Sequence, residues 1–182
     1  MIKLKRISLF IGLLLLLGAC GSEGHSIQEP TFEELKEHAH IVKSASESNV
    51  FVDFTSHGYT DDAKLRSFSG TKVESKDIRA GSLIDYEDTG VIAESYPSQG
   101  TIKSLTLYDD ERSKRFEKGI AHLLSNQDTN AFIGYKLLTF DGDELIIEFT
   151  DYLNVDGVYN ASINLETLDF EVAEISAETS GE

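Results

Sequence analysis

The chain's one cysteine, Cys20, closes an apolar run that follows a positively charged segment, and this arrangement sets the conditions under which everything after it folds. Lys3, Lys5 and Arg6 supply the charge, and residues 7–17 supply an apolar stretch too short to cross a bilayer as a stable helix. That is the layout of an export signal. An exported chain is free to form disulfides, yet with no second cysteine this one has neither a bridge nor a thiolate metal site. Its stability has to come from an apolar core.

The run ends in Leu17, Gly18, Ala19 and Cys20. A branched residue, two small residues that fit a signal peptidase and a cysteine resemble the lipobox of bacterial lipoproteins. The resemblance implies cleavage after Ala19 and a diacylglyceryl group on the Cys20 thiol, so that the chain is held at the extracytoplasmic face of the cell membrane. Acyl chains contribute about 0.8 kcal/mol per buried methylene, and two chains anchor stably where one binds reversibly. Removal of residues 1–19 takes away three of the 16 basic residues and none of the 32 acidic ones, which leaves 13 against 32 and a net charge of −19 over 163 residues. Such a field repels phosphate backbones, and nucleic acid is excluded as a partner.

Residues 20–30 are small and polar and read as a flexible tether. Thr31 and Glu34 match a capping box, and Phe32, Leu35, Ala39 and Val42 share a helical face, so the spacing predicts a helix within 31–48. Val50, Val52 and Phe54 alternate with Phe51 and Asp53 as a half-buried strand that Gly58 breaks. Further short strands are expected at 65–73, 83–86, 91–95 and 102–108, parted by Gly81, Gly90 and the turn 97–100. Residues 49–110 therefore read as one β module.

Within that module Asp77, Ile78, Arg79, Ala80, Gly81, and then residues 90–100 with Glu94, Ser95, Tyr96 and Pro97, resemble the closing half of the YobA-like domain of unknown function, a family of secreted and lipoprotein chains of Gram-positive bacteria. The match covers about residues 77–108. It implies a small barrel like an OB-fold and no established activity.

The remainder, residues 111–176, reads as a helix followed by a β-meander. Phe116, Ile120, Leu123 and Leu124 fall at i, i+4, i+7 and i+8, which predicts an amphipathic helix over 112–125 started by Asp109 and Asp110. Strands are expected at 131–140, 144–150, 158–165 and 169–175, with a tight turn at Asp141 and Gly142, and residues 177–182 form an acidic tail. The expected class is α+β and rich in β: a small OB-like antiparallel barrel or sheet, then a helix and a four-stranded meander.

Chemistry is harder to find. Glu34, Glu37, His38 and His40 are close in sequence, but on a helix only Glu34 and His38 share a face, and zinc needs three or four converging ligands. Ser56 and His57 are neighbours in a strand and point to opposite faces, with no nucleophile elbow around any serine. Asp141, Asp143 and Glu144 lack the twelve-residue calcium loop and read as hairpin charges. No catalytic residue, metal ligand or cofactor site is assigned. The surface singled out for binding is Glu94, Tyr96, Pro97 and Gln99, because a proline-stiffened loop with an aromatic ring and hydrogen-bonding side chains is the mix that recognition loops use.

Two function classes follow. The favoured one is a non-enzymatic lipoprotein that binds an envelope protein or peptide or serves as an accessory module. The alternative is a metal-dependent envelope enzyme or factor using His and carboxylate side chains. Either way the anchor rests on one thiol: Cys20→Ala is expected to leave an uncut precursor that takes up no labelled fatty acid, and label on that variant would overturn the lipoprotein reading.

Overall fold

The structure, a computed structural model, describes residues 29–127, 133–153 and 157–175. Cys20, the signal at 1–19, the tether as far as 28 and the acidic tail lie outside the described residues.

Thr31 caps helix α1 (Phe32–His38) with a reciprocal box: its Oγ1 accepts from Glu34 N at 3.2 Å, and its own N–H donates to Glu34 Oε2 at 2.7 Å. The helix does not run on to residue 48. It stops at His38, and residues 40–45 form a strand, β1 (His40–Ala45). The reason is burial on two sides. Ile41 packs outside the barrel with the helices, Val42 faces the barrel interior, and Lys43 is buried beyond them, so the run shows no alternation and mimics a helix face.

β2 (Asn49–Val52) and β3 (Thr55–Ser67) are joined by a tight hairpin at Asp53 and Phe54. Gly58 does not end a strand; it lies inside β3 opposite Asn49. β3 continues past Leu65, and beyond Ser67 only a bridge between Arg66 and Lys72 persists of the expected 65–73 strand. A 3-10 turn (Ser75–Asp77) leads to β4 (Leu83–Asp88), and β5 is Ser98–Leu107. The expected strand at 91–95 is a loop whose one strand-like bridge to β5 joins Ala93 and Gln99.

These five strands close into a barrel in the order β1-β2-β3-β5-β4. Four seams are antiparallel, and the β3–β5 seam is parallel, which gives the barrel its OB-like Greek-key connection. Val42, Val50, Val52, Ile84, Ile102, Leu105 and Leu107 fill the interior, and Val73 and Ile78 join them from the β3–β4 connection.

Asp110 starts α2 (Glu111–Asn126), accepting from Ser113 N at 3.0 Å and from Ser113 Oγ at 2.6 Å. The meander follows as β6 (Ile133–Asp141), β7 (Glu144–Asp151), β8 (Gly157–Asn164) and β9 (Phe170–Glu174), all antiparallel and in sequence order. Phe116, Ile120, Leu123 and Leu124 of α2 share one core with Leu137, Leu145, Ile147 and Ile163 of the sheet and with Leu35, Ile41 and Leu83. The outer face of β1 and β4 is thus buried by the C-terminal unit. Gly81 permits the approach, because a Cβ there would lie 2.4 Å from Glu117 O on α2, and its φ of +87° suits glycine.

Phe116 is fully buried and meets Phe32 at 6.1 Å and Phe140 at 4.9 Å, both edge to face. Phe116→Ala is expected to cost about 3–5 kcal/mol, from lost transfer energy and the cavity left behind. Denaturant unfolding measures it, and a loss below about 1 kcal/mol would show that this ring does not hold the shared core.

Candidate functional site

One mouth of the barrel gathers the start of β1, the β2–β3 hairpin, the end of β4, the start of β5 and the loop 89–97. All four residues singled out for binding lie here. Glu94, Tyr96 and Pro97 are exposed on the loop, and Gln99 is exposed two residues into β5. Tyr96 is 69% exposed, so its ring does not fill the barrel. Val91 and Ile92 on the same loop are 71% and 43% exposed.

The loop is tied down along its length. Thr89 N donates to Thr101 O at 2.9 Å, and Gly90 N to Asp88 Oδ1 at 2.6 Å. Ala93 and Gln99 exchange backbone hydrogen bonds at 2.8 and 3.2 Å. At the tip Ser95 Oγ donates to Pro97 O at 2.7 Å, beside a cis Tyr96–Pro97 peptide. With these backbone groups paired, the segment presents its side chains from a defined frame.

Beneath the loop lies a group that linear spacing does not reveal. His57 pairs across the seam with Val50, which places its ring inside the barrel, 1% exposed. Gly100 makes room for it: a Cβ at that position would lie 2.6 Å from His57 Nδ1 and 2.9 Å from Ile92 Cδ1, so Ile92 roofs the same spot. The Tyr86 ring stands between two imidazoles, 4.9 Å from His57 and 4.9 Å from His40. His40 Nδ1 lies 3.1 Å from Asp53 Oδ2 at the hairpin. Sequence separation hides this set, since strand pairing is what brings residues 40, 53, 57, 86 and 88 together.

Burial dominates the electrostatics. It lowers the His57 imidazole below its ordinary 6.5, with Asp88 and Asp53 opposing and His40 adding to the fall. Neither His57 ring nitrogen has a hydrogen-bond partner among the described residues. Burial likewise pushes the Tyr86 phenol up to about 12, reinforced by Asp53 and Asp88. Lys43, outside the barrel, is brought down to about 8 by burial against the opposing pull of Asp53; its Nζ donates to Ile133 O at 2.8 Å.

The other sequence candidates are placed as follows. Glu34 is engaged by Thr31 in the helix cap, while His38 lies 3.8 Å from Glu37 and His40 sits on a strand beside Asp53. Among the described residues no group of three or more His, Cys, Asp or Glu side chains is placed to hold a metal ion. Ser56 Oγ accepts from Asn49 Nδ2 at 3.3 Å, whereas the neighbouring His57 side chain lies inside the barrel. Asp143 pairs with Arg115 and Glu144 accepts from Ser162, so these hairpin charges fasten the sheet to α2 and to β8. Among the described residues no helix is long and apolar enough to cross a membrane. Compared with protein families, with curated proteins and with solved structures, the chain finds no match.

The buried neutral His57 carries a pH signature. Its folded value lies below its unfolded 6.5, so its contribution to stability is intact above that pH and is lost as pH falls through the depressed value. The thermal midpoint of the wild type is expected to drop more between about pH 7 and about pH 5 than that of His57→Phe. Parallel pH curves for the two proteins would show that this imidazole does not titrate with unfolding.

Proposed function

We propose that this chain is a lipid-anchored lipoprotein of the extracytoplasmic membrane face whose OB-like barrel binds an envelope protein or peptide, without catalysis, through the loop 89–97. The anchoring half of the reading rests on the export signal and on Leu17, Gly18, Ala19 and Cys20. The YobA-like resemblance over 77–108 belongs to the same proposal. One observation supports the binding half above others: Val91, Ile92 and Tyr96 stand exposed on a backbone that is hydrogen-bonded at both ends. Apolar and aromatic side chains left this exposed suit a surface that another molecule covers. Glu94 and Gln99 flank the ring with polar groups that set orientation.

The test separates binding from stability. Tyr96→Ala is expected to shift stability by no more than about 0.5 kcal/mol, as exposed substitutions do, and to abolish recovery of the partner when the intact lipoprotein is captured from membranes. Retention of the same partner by Tyr96→Ala, or a midpoint lowered by several degrees, would overturn this assignment of the loop.

A further inference from the structure

A second concave feature lies on the outer wall of the barrel, and its origin is a break in strand register. β3 pairs Tyr59 with Ile102 and then Lys64 with Ser104, so the four residues 60–63 of β3 stand opposite Lys103 alone. On the other side β4 pairs Asp88 with Ile102 and Glu87 with Ser104, so no residue of β4 stands opposite Lys103. Both neighbours of β5 therefore lose register at one residue. Bulges of this kind re-aim side chains and recur beside functional sites. Here they open a cavity of about 470 Å³ lined by Asp62, Lys64, Arg66, Glu87, Lys103 and Ser104.

The charge in that cavity runs against the rest of the molecule. In a chain with 32 acidic and 16 basic residues, three cations meet two carboxylates. Three cations elsewhere pair with acids: Lys76 with Glu74, Arg79 with Glu117 and Arg115 with Asp143. Lys103 lies 3.5 Å from Glu87. Lys64 and Arg66 make no ion pair among the described residues, and Arg66 Nε reaches Thr106 Oγ1 at 3.5 Å, which leaves its terminal nitrogens for a ligand. Both project from one face of β3, with the inward Leu65 between them. Charges beyond about 8 Å are largely screened at physiological salt, so these nearby cations outweigh the acidic remainder of the protein for a ligand seated between them. Polyanions that extend past the cavity remain disfavoured.

We propose that this cavity binds a small hydroxyl-bearing anion, a carboxylate or a phosphate. Arg66 offers the planar donor fork that matches either group, and Lys64 and Lys103 add point charges on the two sides. Ser104 Oγ donates to the same group, and Asp62 accepts from the ligand's hydroxyls. Glu87 is the internal stand-in, held on Lys103 until the ligand takes its place.

Calorimetric titration of the detergent-solubilised full lipoprotein with glucuronate, glucose 6-phosphate and glucose tests this. Saturable binding of one or both anions with none of uncharged glucose is expected, and which anion binds identifies the charged group. Replacing Lys64 and Arg66 together with Gln is expected to weaken binding about tenfold or more, the loss of at least one charge-assisted contact, with an unchanged thermal midpoint. Glu87→Gln is expected to tighten binding severalfold by releasing Lys103. Three results would overturn the proposal: no saturation by either anion at roughly millimolar concentration, equal affinity in the double variant, or no gain from Glu87→Gln.

Discussion

Everything in this molecule depends on two strands that are apolar on both faces. β1 sends Val42 into the barrel and Ile41 out of it; β4 sends Ile84 in and Leu83 out. A barrel alone leaves Ile41 and Leu83 in water. Packing α1, α2 and the meander over that wall buries them beside Phe116 and Ile120, and each such side chain is worth about 1.5–3 kcal/mol when fully removed from solvent. With no disulfide available, this shared core is what joins the two β units.

The bulge at Lys43 makes the join specific. Val42 pairs with Val52 and Ser44 with Phe51, so Lys43 is the extra residue and swings out of register. Its ammonium then sits 4.4 Å from the centre of the Phe51 ring, 5.6 Å from that of Phe54, and on the carbonyl of Ile133. Phe54 in turn meets Tyr152 edge to face at 4.7 Å. A buried ammonium is tolerated only where donors and charge are met, which ties the β2–β3 hairpin to the start of β6 in one geometry. That hairpin also carries Asp53, so the docking of the sheet and the polar mouth of the barrel share a structural element.

The mouth and the outer wall are two distinct features of one barrel. At the mouth, a loop pinned by its own backbone holds Val91, Ile92 and Tyr96 above a buried imidazole. On the wall, a double loss of register around Lys103 collects positive charge in an acidic protein. The aliphatic side chains that fill the interior come from β1 to β5, and the loop adds only Ile92, over His57.

Local rules were enough to read several of these elements from the residues alone. The Thr31–Glu34 cap, the Asp110 start of α2, its buried face through Phe116, Ile120, Leu123 and Leu124, and the turn at Gly142 between β6 and β7 all follow from contacts a few residues apart or from strict periodicity. Whether the Tyr96 ring fills the barrel or stands outside it is open from the residues, and the loop that carries it decides for the outside. What tertiary structure decided is whatever depends on two faces or on distant pairing. Residues 40–45 continue a helical spacing yet form a strand, because burial from both sides erases the alternation by which a strand is recognised. Gly58 reads as a stop and sits within a thirteen-residue strand, because a strand lies on each side of it, with Asn49 of β2 and Thr101 of β5 as its partners. The meeting of His40, Asp53, His57, Tyr86 and Asp88, and the gathering of Lys64, Arg66 and Lys103, exist only once β3 lies parallel to β5, since that seam joins residues some 40 positions apart that no periodicity within one segment relates.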